Sequence, residues 1–124
     1  INGFDGTFNV PVSRHTSVDV KAVEQTGAID ILSTHPETGL CLAYEPAARR
    51  VYMMNHLEYD GNTLKKEYER DMAAGKDLGL PYNYFPGGDT NAAPAISWRA
   101  HRSLLFRNWI NLVYQGTPFD LDQL

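Results

Sequence analysis

The sequence predicts an α/β fold in which short strands come first and longer helices follow. Three strand-like stretches, residues 28–32, 40–44 and 50–54, are separated by only a few residues each. Two amphipathic helices follow, at about 64–74 and 95–114. Because three short strands offer little sheet for two long helices to cover, we expect further sequence to complete a larger α/β sheet.

The first seventeen residues form an irregular segment, because Gly3, Gly6 and other turn formers interrupt any periodicity. Ser17 or Asp19 can cap a short helix that continues to about residue 25, and Gly27 ends it.

The three strands are predicted to be antiparallel neighbours. Pro36 and Gly39 mark the turn between the first two, and Pro46 marks the next turn. Connections this short are typical of hairpins, whereas parallel strands need long crossovers.

The second half of the chain reads as helix, structured loop and helix. Leu64, Tyr68 and Met72 recur every four residues before Gly75 ends the helix. Residues 79–94 are rich in Gly, Pro and Asn but contain aromatic residues that can fix the loop to the core. The last helix carries a broad apolar face, which predicts deep packing against a sheet. That face consists of Trp98, Leu105, Phe106, Trp109, Ile110, Leu112 and Val113.

Composition excludes several classes of protein. Fifteen acidic and 11 basic residues give a net charge of −4, which argues against nucleic-acid binding. No apolar run approaches the ~18 residues of a membrane span, and no signal segment precedes the first strand. Cys41 stands alone, so neither an internal disulfide nor a multi-cysteine metal site is possible. We therefore expect a cytoplasmic protein, processed or truncated because it begins at Ile1.

The pattern most suggestive of chemistry follows the third strand. His56 and Glu58 are two residues apart, so they point to the same side if the strand conformation continues. A histidine oriented by a carboxylate is the usual general base for a thiol or hydroxyl nucleophile. His-x-Glu is a short and common pattern, however, and on these residues alone a surface histidine beside an unrelated glutamate is the favoured interpretation.

Three other residues also allow two interpretations. Arg70 could bind a carboxylate in a bidentate fork, or it could be a solvated partner of Glu67. Cys41 lies in an apolar strand, which favours a buried, inert thiol over a nucleophile. His101 shares the last helix with large apolar residues, so packing with a satisfied hydrogen bond is favoured over catalysis.

Several longer strings resemble one known family, the homoserine O-succinyltransferase and O-acetyltransferase family of methionine biosynthesis. Their order and approximate spacing match over nearly the whole chain. The strings are Gly3-Phe4-Asp5, Val10-Pro11-Val12-Ser13-Arg14, His56-Leu57-Glu58-Tyr59-Asp60, Glu67-Tyr68-Glu69-Arg70-Asp71, Pro81-Tyr82-Asn83-Tyr84-Phe85-Pro86, Trp98-Arg99-Ala100-His101, Asn108-Trp109-Ile110-Asn111 and Tyr114-Gln115-Gly116-Thr117-Pro118. The sequence departs from the family pattern at Asn55 and Leu57, where Gly and Pro are frequent, and at Val12, where His is common.

The resemblance implies a class I glutamine amidotransferase-like, flavodoxin-like fold, of which residues 1–124 are the C-terminal portion of the catalytic domain. It implies a ping-pong transfer of a succinyl or acetyl group from succinyl-CoA or acetyl-CoA to L-homoserine. A cysteine carries the acyl group as a thioester, and that cysteine belongs to an N-terminal part absent from this sequence. By the resemblance, His56 is the base, Glu58 orients it, and Arg70 binds the amino-acid substrate. No cofactor or metal is expected. The protein is expected to form a homodimer.

Two other functions stay open at this point. A relative of the glutamine amidotransferases would hydrolyse glutamine with the same Cys-His-Glu arrangement. A non-catalytic dimerisation or binding module would instead use the broad apolar face of the last helix. As a fragment of an acyltransferase, the isolated chain is expected to be inactive and to expose apolar surface.

Overall fold

A computed structural model of the protein describes residues 1–120 and 122. Residues 121, 123 and 124 of the predicted 1–124 domain lie outside the described residues. The elements are α1 (Val20–Gln25), β1 (Asp30–His35), β2 (Gly39–Glu45), β3 (Arg50–Met53), α2 (Thr63–Ala73), a 3₁₀ turn (Pro86–Gly88) and α3 (Arg99–Gly116).

The three strands form one antiparallel sheet in the order β1-β2-β3, which confirms the predicted α/β class and strand arrangement. Strand β2 lies in the middle, and its residues 40–43 are buried on both faces. The register between β1 and β2 shifts twice near Ser33. Strand β1 begins two residues later than predicted, because the Ala28 N–H donates to the Thr26 hydroxyl in the preceding turn.

Helix α1 begins where one of the two predicted caps lies. The Asp19 carboxylate accepts the Ala22 N–H at 3.1 Å, so Asp19 and not Ser17 is the cap. Helix α2 also has the predicted extent, but its cap residue Asn62 makes no side-chain hydrogen bond to the helix. The backbone N–H of Lys65 is instead accepted by the hydroxyl of Tyr84 at 3.0 Å.

The core contains aromatic residues contributed by the loop at 79–94. Tyr84 and Phe85 are buried, as the loop's aromatic content predicts, whereas Tyr82 is 80% exposed. They pack with the remaining members of the core cluster, which are Cys41, Leu42, Leu57, Leu64, Trp98 and Leu105. The loop is therefore a structural part of the fold.

Helix α3 differs from its prediction in two ways. It begins at Arg99 rather than at about residue 95, and the segment before it is attached to the loop by the Ala95 N–H, which donates to the Tyr84 carbonyl at 2.8 Å. Its apolar face does not pack deeply against the sheet, since Leu105 is its one buried residue in the described part of the chain. Four of its apolar residues are 46–58% exposed, and they are Phe106, Trp109, Ile110 and Val113.

Within residues 1–120 and 122, no helix has the length and apolar character needed to cross a membrane. The same residues contain no group of three or more His, Cys, Asp or Glu side chains that could hold a metal ion.

Candidate functional site

The segment that follows β3 is held by backbone hydrogen bonds on both sides. The Met54 N–H donates to the Cys41 carbonyl at 2.8 Å, which ties the segment to β2. The His56 N–H donates to the Pro11 carbonyl at 2.8 Å, which ties it to the first part of the chain. The backbone then turns at residues 57–58, so the extended conformation assumed for His56 and Glu58 is wrong.

The turn nevertheless brings the two predicted side chains together. Nδ1 of His56 lies 2.7 Å from Oε1 of Glu58. The imidazole is 30% exposed and the carboxylate 59% exposed, so the pair lies at the surface of the chain with the histidine the more protected partner. A carboxylate on Nδ1 fixes the ring orientation and stabilises positive charge on it.

The second ring nitrogen of His56 also faces an acceptor. Nε2 lies 3.1 Å from the backbone carbonyl oxygen of Ser13. A carboxylate and a carbonyl can only accept hydrogen bonds, so both contacts are satisfied together when each nitrogen carries a proton. Sequence reasoning missed Ser13, because a backbone carbonyl has no sequence signature.

Tyr59 supports the histidine from one face. The two rings are stacked, with centroids 4.2 Å apart and planes 17° from parallel. The Tyr59 hydroxyl donates to Oε1 of Glu67 on α2 at 2.9 Å. Burial, together with the neighbouring Glu67 carboxylate, raises the pKa of Tyr59 to about 12. The phenol therefore stays protonated at neutral pH.

Arg70 lies one turn beyond Glu67 on α2. Its Nε donates to Oδ1 of Asp71 at 2.9 Å, so the predicted alternative of an Arg70–Glu67 ion pair is wrong. Hydrogen bonds from Arg70 and Lys76 lower the pKa of Asp71 to about 2. The Arg70 side chain is 64% exposed, and its terminal nitrogens make no hydrogen bond to the described residues, which leaves them open to a carboxylate ligand.

Cys41 does not join this site. It is buried, and it lines a cavity of about 400 Å³ with Asn55 and Trp98 whose lining does not include His56. Burial raises the pKa of the Cys41 thiol, which disfavours the nucleophilic thiolate. The burial of Cys41 confirms the predicted buried thiol, and its inertness stays a prediction.

His101 packs as predicted. Its ring contacts those of Phe4 and Phe8, each at a centroid distance of 5.3 Å, and its Nε2 lies 3.1 Å from an Asp5 carboxylate oxygen. Its Nδ1 has no partner among the described residues. His101 therefore closes one end of α3 against the first segment.

The His56–Glu58 pair, an imidazole at the surface with a carboxylate on one ring nitrogen, is a candidate general base for a thiol or hydroxyl nucleophile. A family model for homoserine O-succinyltransferase matches residues 1–119. The chain belongs to this family.

Curated relatives match along the whole chain. A homoserine O-acetyltransferase from Rhizobium johnstonii is 48% identical over 124 residues, covering 100% of this chain and 40% of the relative. One from Acetivibrio thermocellus is 48% identical over 125 residues, covering 100% of this chain and 41% of the relative. One from Shouchella clausii is 46% identical over 123 residues, covering 98% of this chain and 40% of the relative. The chain thus spans about two fifths of the length of these relatives.

Proposed function

We propose that this chain, together with an N-terminal part that supplies a nucleophilic cysteine, transfers a succinyl or acetyl group from acyl-CoA to the hydroxyl of L-homoserine. The observation that carries the proposal is the His56–Glu58 pair, with Nδ1 and Oε1 2.7 Å apart. Family membership supports the substrate, because the matching model and relatives are named for homoserine acylation. We further propose that residues 1–124 complete a class I glutamine amidotransferase-like domain.

The proposed mechanism has two half-reactions with one base. His56 takes the proton of the cysteine thiol, and the thiolate attacks the acyl-CoA thioester. The CoA thiolate then leaves and receives that proton, while the acyl group stays on the cysteine. In the second half-reaction His56 takes the homoserine hydroxyl proton, the oxygen attacks the enzyme thioester, and the cysteine leaves and is reprotonated.

In this mechanism the two nitrogens of His56 have separate parts. Nδ1 is held by Glu58, which stabilises the imidazolium formed in each half-reaction. Nε2 is then the nitrogen that takes up and returns the proton. For this it leaves the Ser13 carbonyl and takes the nucleophile as its new hydrogen-bond partner. Arg70 binds the homoserine carboxylate through the terminal nitrogens of its guanidinium.

The test joins this chain to the N-terminal three fifths of the Rhizobium johnstonii relative and measures O-acylhomoserine formation with acetyl-CoA and with succinyl-CoA. His56→Ala should lower kcat by at least about 100-fold, because a general base contributes that much. Glu58→Gln should lower it about tenfold, the effect of losing a partly exposed charge-assisted hydrogen bond. His15→Ala, an exposed loop histidine, is the matched control.

Full turnover in His56→Ala would remove this residue from the mechanism. Release of ammonia from glutamine by the fusion, without acylation of homoserine, would favour the amidotransferase function instead.

We also propose that the complete protein is a homodimer. The exposed apolar residues of α3 are consistent with such contacts, and sedimentation of the fusion protein measures them.

A further inference from the structure

We infer that Tyr59 and Glu67 act as a positioning pair for His56, with the tyrosine ring supporting the imidazole and the glutamate fixing the tyrosine. This inference rests on the proposed function, because it presumes that His56 is the base. It adds two residues to which neither the resemblance nor the comparisons give a role.

The hydrogen bonds on His56 leave its ring free to tilt. Glu58 and Ser13 hold the two ring nitrogens and so define an axis that passes through the imidazole. Hydrogen bonds at both ends of that axis resist sliding of the ring but only weakly resist tilting about it. The stacked Tyr59 ring, 4.2 Å away and 17° from parallel, blocks tilting toward one side.

Tyr59 is itself held by several hydrogen bonds. Its hydroxyl donates to Glu67 at 2.9 Å, and its carbonyl accepts the indole N–H of buried Trp98 at 3.0 Å. Its N–H donates to the His56 carbonyl at 3.3 Å. Hydrogen bonds at the tip of the side chain and along the backbone leave the ring little freedom, so it is a rigid support for the imidazole.

Glu67 depends in turn on its contact with Tyr59. One of its oxygens accepts the Tyr59 hydroxyl, and the other, Oε2, is buried and has no partner among the described residues. A partly buried carboxylate whose one hydrogen bond among the described residues goes to Tyr59 depends on that contact. Because Glu67 lies one turn before Arg70 on α2, the same helix sets the positions of the tyrosine support and of the arginine.

The experiment uses the fusion protein described above and a double-mutant cycle. Tyr59→Leu removes the supporting ring and should lower kcat about 100-fold, the cost of a small misplacement of a catalytic group. KM for homoserine should stay within about twofold, because the ground-state contacts of the substrate are kept. In a His56→Ala background, Tyr59→Leu should change the residual rate by less than about twofold.

Glu67 provides a second test with a conservative rescue. Glu67→Ala should lower kcat roughly tenfold, whereas Glu67→Gln keeps an acceptor for the Tyr59 hydroxyl and should restore most of the rate. Tyr52→Leu is the matched control. Tyr52 also donates to a glutamate, Glu45 at 2.6 Å, in a contact that does not involve His56. Melting temperatures of all variants identify any loss that comes from unfolding.

An equal loss from Tyr59→Leu in both backgrounds would show a purely structural role and overturn the inference. A rise in KM for homoserine in both Glu67 variants would assign Glu67 to substrate binding and also overturn it. If His56→Ala is inactive and Tyr59→Leu is fully active, the inference fails and the proposed function stands. If His56→Ala is fully active, the proposed function itself fails.

Discussion

Tyr84→Phe is expected to destabilise the chain, because one hydroxyl performs two tasks in the core. That hydroxyl donates to the carbonyl of buried Gly61 at 2.6 Å and accepts the N–H of Lys65 at 3.0 Å. Tyr84 is 3% exposed, so water cannot replace either bond without rearrangement. Since Asn62 makes no side-chain cap bond, the hydroxyl also serves as the cap of α2.

The magnitude follows from these two bonds. Each contributes about 1 kcal/mol, so the loss in free energy of unfolding should be about 2 kcal/mol. For a chain of this size that corresponds to a decrease in melting temperature of roughly 8 °C. Urea unfolding followed by tryptophan fluorescence measures the free energy, and calorimetry measures the melting temperature.

The control for this prediction is two residues away. Tyr82 is 80% exposed, so Tyr82→Phe should change the free energy of unfolding by less than about 0.5 kcal/mol. If Tyr84→Phe were as stable as Tyr82→Phe, the hydroxyl could not be the cap of α2. The account of how the loop at 79–94 fixes that helix would then have to be abandoned.

Three further outcomes are expected. The pKa of Tyr59 is raised from 10.0 to about 12, so its contribution to stability is complete below pH 10.0 and is lost as the pH rises toward 12. Comparing tyrosinate absorbance with that of Tyr59→Phe should therefore show no ionisation of Tyr59 at pH 10.0. The pKa of Asp71 is lowered from 3.8 to about 2 by Arg70 and Lys76, so its contribution is lost as the pH falls through that interval. The melting temperature of Asp71→Asn should consequently fall less over the same interval, and an identical fall in both proteins would contradict this assignment. Trp98→Phe loses the hydrogen bond from the indole N–H to the Tyr59 carbonyl, so the free energy of unfolding measured in urea should fall by about 1–2 kcal/mol. An unchanged urea midpoint would contradict this prediction.

The parts of the fold that sequence reasoning predicted are those set by neighbouring residues. The hairpin turns at Gly39 and Pro46, the cap at Asp19 and the period-four spacing of α2 all act within a few residues. Local preferences of this kind can be recognised from a single sequence. The start of α3 could not, because Ala95 gives its N–H to Tyr84, eleven residues earlier in the chain.

The same distinction applies to the candidate site. Residue type made His56, Glu58 and Arg70 candidates, because imidazole, carboxylate and guanidinium groups carry recognisable chemistry, but the roles predicted for them came from the family resemblance. The contact from Ser13 to His56 is made by a backbone carbonyl 43 residues away, which any residue could supply. The alternative in which Arg70 pairs with Glu67 fails for a related reason, since the helix spacing allows that pair but the Glu67 carboxylate accepts the Tyr59 hydroxyl.

These contacts also bear on how far the base can be studied apart from its nucleophile. Glu58, Tyr59 and the Ser13 carbonyl all belong to this chain, so three contacts that orient the His56 ring are present in it. A variant that disturbs the ring should therefore show the disturbance in the isolated chain, by changes in the imidazole resonances, before any acyl transfer is measured. Since both ring nitrogens face acceptors, the proton on Nε2 should exchange with solvent more slowly than that of exposed His15. Equal exchange rates for the two histidines would show that the Ser13 carbonyl does not hold the ring, and the exchange of partners proposed for Nε2 would then have no basis.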